Sequence, residues 1–160
     1  MTNKIRKLII SILIIKEDDN VFVYEHSISV QVSAEKIWGL YMDVKAWNCW
    51  DESLESARCV GGLAPGAEGV MVLKDGMKLP FTIAECEKPV KFTARACLGA
   101  VTVNFGHLLQ HSDGDTKITH TVTVEGDDDK MLEGIGRGIS ADIPQSMQRL
   151  ARLGENNEAV

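Results

Sequence analysis

The chain carries little positive charge. Its formal net charge is -6 at pH 7, which argues against a nucleic-acid partner, because phosphate contacts need clustered Lys and Arg. No apolar run reaches membrane-spanning length. Leu8 to Ile15 covers only eight residues and is broken by Ser11, where a spanning helix needs about 20. No stable membrane insertion is therefore expected. The four cysteines, Cys49, Cys59, Cys86 and Cys97, show no CxxC spacing, which excludes the usual zinc and redox motifs. Free thiols in a reducing cytoplasm are the expectation, and a disulfide is the alternative. No calcium-loop pattern accompanies Asp127, Asp128 and Asp129, so this trio reads as a helix start, where carboxylates favour the dipole. A nucleophile elbow, a phosphate loop and a Ser-His-Asp spacing are all missing, as are repeats, low-complexity segments and interdomain linkers. Neither a metal nor a cofactor is expected.

What is present fits one domain. A chain of 160 residues with 44% hydrophobic residues can bury a substantial core. Residues 1–20 stand apart from the rest. Lys4, Arg6 and Lys7 precede the Ile-rich run, and Lys16 to Asn20 follow it without a small-residue cleavage site. The run suits an extra β-strand or a packed extension. A signal for export is the alternative. If exposed, the run is an association site and a route to a homodimer.

From Val21 the pattern alternates. Phe22, Tyr24, His26, Ile28, Val30 and Val32 share one strand face, opposite Ser27, Ser29 and Gln31. Ser33 is a good N-cap for a short helix that carries Trp38, Tyr41 and Met42. Asp43 is placed to cap a second short turn, Val44 to Trp47. Six further strands follow between residues 54 and 125, punctuated by Gly61-Gly62, Pro65-Gly66, Asp75-Gly76, Lys88-Pro89, Gly99 and Asp113-Gly114. Residues 128–153 read as one interrupted helix. Gly134, Gly136 and Gly138 weaken it, yet let it approach a sheet or leave space beside it. Pro144 kinks or breaks it.

The last hairpin permits a register calculation. A two-residue turn at Asp113-Gly114 pairs Ser112 with Asp115, then Leu109 with Ile118, His107 with His120, Phe105 with Val122 and Val103 with Val124. Every pair is apolar with apolar except the two histidines. A slip by one residue would invert the whole face. An antiparallel sheet of this length needs one face covered, and only the closing helix is long enough to cover it. The fold class is therefore α+β.

The order of motifs resembles the START-like, or SRPBCC, superfamily, in particular its polyketide cyclase/dehydrase group. The resemblance rests on His26-Ser27-Ile28-Ser29-Val30 as the opening strand and Ser33 to Trp38 as the short helix. It continues through the tryptophan pair in Trp47-Asn48-Cys49-Trp50, the Gly61-to-Gly69 hairpin, the Gly114-to-His120 segment and a Gly- and Pro-containing last helix ending at Leu150-Ala151. It covers roughly residues 24 to 154, within a domain taken as 21–156. The resemblance implies a helix-grip fold, with a seven-stranded antiparallel sheet wrapped around the C-terminal helix and a cavity between them. It also implies binding of lipids, quinones, polyketides or other apolar molecules, and in some members cyclisation or dehydration. It transfers no catalytic residue.

The site must then be sought among inner-face residues. In a helix grip the strands bearing His26, His120 and His107 are neighbours, so the three histidines form one polar cluster, with His111 a further inner-face candidate. They are read as structural, as ligand-recognising, or as catalytic, with His107 and His120 the candidates for proton transfer. Trp47 and Trp50 fall at a rim of the cavity and are read either as packing or as stacking on an aromatic ligand. Tyr24, Phe81 and Phe105 complete the expected ligand-binding set. Glu85 shares the parity of Phe81 but lies at a strand end, where exposure is expected; Arg95 reads as a surface charge. Three functions remain open: a binder of a small hydrophobic molecule, a cyclase or dehydratase using His107 or His120, and an interaction module with a filled cavity. The first needs an empty pocket, and the second needs a histidine lining it.

Overall fold

The computed structural model describes residues 10–16 and 20–156. The basic cluster Lys4, Arg6 and Lys7 and the first part of the apolar run lie outside the described residues. The elements run in the order β1 (Ile10–Lys16), β2 (Val21–Val30), α1 (Ala34–Met42), a 3-10 helix (Val44–Cys49), β3 (Leu54–Cys59), β4 (Glu68–Leu73), β5 (Lys78–Glu87), β6 (Lys91–Leu98), β7 (Val101–Ser112), β8 (Asp115–Glu125), α2 (Asp129–Ser140) and α3 (Ile143–Asn156). All the strands form one antiparallel sheet, in the order β1-β2-β8-β7-β6-β5-β4-β3. Strands β2 to β8 are the seven of the helix grip. Strand β1 adds an eighth at the edge, pairing Ile10 with Ser27 and Lys16 with Val21.

Local chemistry explains the punctuation. Ser33 Oγ accepts from the Lys36 backbone N–H and starts α1. Asp43 sits at the N-cap of the 3-10 helix, but its side chain makes no cap bond, so the cap expected of it is not made; its carbonyl accepts only the ordinary first-turn bond from Ala46 N–H. Asp128 accepts from the N–H groups of Lys130 and Met131 and starts α2. At the β7–β8 turn both Asp113 (φ 49°) and Gly114 (φ 84°) have positive φ, as a primed two-residue hairpin turn requires. The register follows from it: Ser112 pairs with Asp115, Leu109 with Ile118, His107 with His120, and Val103 with Val124.

The closing helical segment breaks at Ala141-Asp142, and Pro144 falls in the first turn of α3, where its missing N–H costs nothing. Before the break, α2 packs on β2 and β8; after it, α3 packs on α1 and β2. The main core gathers Ile37, Trp38, Tyr41, Ile83, Phe92, Met147 and Leu150. A smaller core under α2 gathers Phe22, Val103, Val122, Val124 and Leu132. Within α2 the glycines differ. A Cβ on Gly136 would lie 2.1 Å from the buried Phe22 ring, whereas one on Gly134 or Gly138 would meet nothing within 4 Å.

One departure from strict alternation has a local cause. A bulge between Ile83 and Glu85 shifts the register of β5 against β6. It turns Cys86, which strict alternation from Phe81 and Ile83 puts on the polar face, toward the core, where its thiol donates to the Leu63 carbonyl at 3.6 Å. Glu85 is exposed and pairs with Lys91 at 3.5 Å. Cys97 and Arg95 are exposed, and all four cysteines are free. His111 has inward parity but is exposed, one residue before the end of β7.

The glycine contrast sets a stability test. Gly136→Ala is expected to destabilise by about 1–3 kcal/mol through the clash with Phe22, while Gly134→Ala stabilises by up to about 1 kcal/mol through helix propensity. Urea denaturation of the two variants checks the opposite signs. Equal shifts would contradict the close approach of α2 to β2.

Candidate functional site

Three adjacent strands lay the histidines in one row. His26 on β2 pairs with His120 on β8, and His120 pairs with His107 on β7. The row continues to Phe92 on β6. The His107 ring stacks on Phe92 with centroids 4.0 Å apart and planes 6° from parallel. Its Nδ1–H donates to the Phe92 carbonyl at 3.3 Å. Since a carbonyl only accepts, the neutral ring carries its proton on Nδ1 and leaves Nε2 as the acceptor. His120 lies edge-on to His107 at 4.6 Å. Its Nε2 is joined at 2.8 Å to the hydroxyl of Tyr41, a fully buried residue of α1.

Burial controls the protonation of this row. It lowers His107 to about 4, against the partial opposition of backbone carbonyls of Phe92 and Phe105. It lowers His120 well below its ordinary value, helped by the charges His107 and His26 would carry. It also lowers His26 and raises the Tyr41 hydroxyl well above its ordinary value. All three imidazoles are therefore neutral at neutral pH.

A cavity of about 270 Å³ lies between this part of the sheet and the α2–α3 junction. The 3-10 helix and the loop after it supply one wall. Trp47 is fixed by its indole N–H, which donates to the Tyr41 carbonyl at 2.8 Å. The Asp51 N–H donates to the Trp47 carbonyl at 2.8 Å. The loop is tied to α3 by the Arg149–Glu52 ion pair and by Glu52 N–H donating to Ser146 Oγ. The buried part of the wall is Trp47, Trp50, Leu54, Met71, Leu79 and Ala94, joined by the half-buried Phe105 and His107. The exposed residues Met77, Gly138 and Asp142 mark the mouth. A smaller space of about 70 Å³ adjoins it, sharing Trp50, Asp51, Phe105 and His107 and adding His120.

Asp51 is the polar centre of the wall. Its Oδ1 accepts from Ser53 N–H at 3.0 Å and from Ser53 Oγ–H at 2.7 Å. Burial raises its carboxyl above the ordinary value. The Ser53 bonds pull it back, the Asp142 charge pushes it up, and Lys74 pulls it down.

The sequence-derived set divides accordingly. Trp47, Trp50, Phe105 and His107 line the main cavity, and His120 lines only the smaller one. Three members are absent from both walls. Tyr24 is half-buried and packs against the smaller core under α2. His26 is buried beside His120, one strand further from the cavity. Phe81 stacks on Trp47 at 5.8 Å and turns over Gly69, whose missing side chain gives it room, so its edge reaches a groove on the opposite face of the sheet. Trp38 lies in the core. Sequence reasoning missed Tyr41, Asp51, Ser53 and Asp142. Only the position of Asp51 next to Trp50 could have signalled any of them. Among the described residues no cluster has the makings of a metal site, and no helix is long and apolar enough to cross a membrane.

No family model matches the chain, and no curated protein matches it by sequence. Solved structures do match its fold. The di-domain ARO/CYC StfQ from the steffimycin biosynthetic pathway superposes with a TM-score of 0.73 at 10% identity, over 89% of this chain and 53% of that one. CalU16 from Micromonospora echinospora gives 0.65 at 14% identity, over 95% and 76%. Ara h 8.0201 gives 0.61 at 18% identity, over 86% and 97%. The fold is the START-like helix grip. Within that START-like frame the cavity lies where the sheet grips the closing helical segment, and it is not filled by side chains.

The neutral histidines give stability a definite pH dependence. A base lowered in the folded state contributes its full stability above the unfolded value of 6.5, and loses it as the pH falls toward the folded value of about 4. The raised Asp51 carboxyl acts in the opposite direction, because the folded chain holds that proton longer than the unfolded one. Urea midpoints are expected to fall between pH 7 and pH 4.5, and to fall less in His107→Gln. A midpoint that rises on acidification, or an equal fall in the variant, would contradict the assignment.

Proposed function

We propose that the protein binds a small, mostly apolar aromatic molecule in the cavity between the sheet and the α2–α3 junction. The observation that carries this reading is an aromatic-lined cavity of about 270 Å³, open at one mouth, whose wall also carries the polar side chains of Asp51, Ser53, His107 and Asp142. Apolar walls supply affinity, and a few polar groups fix orientation. Size narrows the ligand. A dry cavity of about 150 Å³ accommodates benzene, so this one suits about two fused rings. That favours a quinone or an aromatic, polyketide-like molecule over a lipid with full acyl chains. The START-like neighbours support the reading at the level of fold, and one of them, StfQ, comes from the steffimycin biosynthetic pathway.

A cyclase- or dehydratase-type activity is the second reading, and one observation favours it. His107 has Nδ1 engaged by a carbonyl, a neutral ring, and a place on both cavity walls. His120, bonded through Nε2 to Tyr41, is less available, so His107 is the base of the two. Loss of turnover in His107→Ala with binding retained would carry this second reading.

The test of binding is saturable quenching of tryptophan fluorescence by 2-naphthol. Gly138→Phe, at a position where a side chain has open space beside the cavity, is expected to weaken binding by about tenfold or more. Native mass spectrometry of the purified chain, with extraction of any co-purifying molecule, identifies the natural ligand class. Quenching that never saturates, or that is unchanged in Gly138→Phe, would overturn the reading.

A further inference from the structure

We propose that the cavity selects a neutral hydroxyaromatic ligand, whose hydroxyl donates to Nε2 of His107 while its rings lie among Trp47, Trp50, Met71 and Phe105. The inference rests on the cavity-binding reading and names the ligand class within it: an aromatic alcohol rather than a quinone.

The hydrogen-bonding inventory of the wall points this way. Four side chains lining the main cavity carry an N–H or O–H, namely Trp47, Trp50, Ser53 and His107. Each of these donors is spent or sealed. The Trp47 indole N–H donates to the Tyr41 carbonyl at 2.8 Å. The Ser53 hydroxyl donates to Asp51 Oδ1 at 2.7 Å. The His107 Nδ1–H donates to the Phe92 carbonyl at 3.3 Å. The Trp50 indole nitrogen is buried, with no surface through which a guest could reach it. These side chains therefore offer a guest acceptors and no donors. A quinone also carries only acceptors, and its oxygens would be left unpaired against them, which is costly. A hydroxyl brings the missing donor.

Among the acceptors, His107 Nε2 is held ready for it. Stacking on Phe92, with planes 6° from parallel, and the Nδ1 bond to the Phe92 carbonyl fix both the ring and its tautomer. Nε2 has no partner among the described residues, yet unlike the Trp38 and Trp50 nitrogens it is not sealed from solvent. The ring lines both the main cavity and the smaller space beside it, so the open nitrogen faces them. The ring is neutral at neutral pH, so Nε2 keeps the lone pair that a donor needs. A phenolic hydroxyl, with an ordinary pKa of about 10, is neutral there too, and brings no charge into apolar walls. Asp51 Oδ2, left open by the two Ser53 bonds to Oδ1, is the competing acceptor.

2-Naphthol and 2-fluoronaphthalene isolate the donor, since they share the rings and differ in one O–H. Tryptophan-quenching titrations of the full chain at pH 7 are expected to give 2-naphthol about tenfold higher affinity. That preference should vanish in His107→Phe, which keeps a flat ring against Phe92 and removes the acceptor. Imidazole nitrogen NMR of the unaltered protein tests the same bond without a substitution, and decides the matter if the variant does not fold. The Nε2 resonance is expected to move far more with 2-naphthol than with 2-fluoronaphthalene. A ratio near one in the unaltered protein, a preference that survives His107→Phe, or an Nε2 resonance that moves equally with both compounds overturns the hydroxyl subsite while leaving an aromatic-binding cavity. Failure of both compounds to bind overturns the cavity reading as well.

Discussion

The register of β7 against β8 is the constraint on which the site depends. Side chains alternate across a strand, so a shift of one residue at the Asp113-Gly114 turn would part His107 and Phe105 from His120, sending one strand's set to the outer face. The turn is specified locally by a residue pair that tolerates positive φ at both positions. Its effect is felt four strands wide, because β2 and β6 take their registers from β8 and β7. The row His26, His120, His107 and Phe92 is the product.

That row needs a cover that is both close and incomplete. Helix α1 provides the close part by placing the Tyr41 hydroxyl against His120, which satisfies two polar groups that would each be costly to bury alone. Trp38, Tyr41, Trp47 and Phe92 then pack through edge and stacked contacts. Helix α2 provides the incomplete part. Gly136 brings it hard against Phe22 on one side, and Gly138 leaves open space on the other. The break before α3 places Asp142 at the mouth. One helical segment thus seals the small core and leaves the cavity unfilled, which disfavours an interaction module with a collapsed interior.

How much of this was legible depended on distance along the chain. The helix-grip layout, the turns and the histidine pairing could be read because each is fixed by a hairpin or by alternation within one strand. The neighbourhood of His26 and His120 needed only the strand order that the START-like resemblance implied. Long-range features were not legible. Tyr41 reads as one apolar contact of a short helix, and nothing local says that it meets His120, 79 residues away. Asp51 and Asp142 come from separate loops and converge only after the sheet has wrapped. Phe81 has the correct parity for the cavity yet turns aside, because Gly69 on the facing strand makes room. The inward turn of Cys86 follows from a bulge that no turn signal marks.

The central claim is that the space beside Met71 and Met77 admits an aromatic guest. Methyl NMR of the protein labelled at its methionines tests it most directly. Met71 and Met77 line the cavity, Met147 is fully buried elsewhere, and Met42 and Met131 are exposed. On titration with 2-naphthol, ring-current shifts are expected at Met71 and Met77, with Met42, Met131 and Met147 unmoved. Shifts spread over all the methyls, or shifts confined to the exposed Met42 and Met131, would contradict the cavity as the binding site.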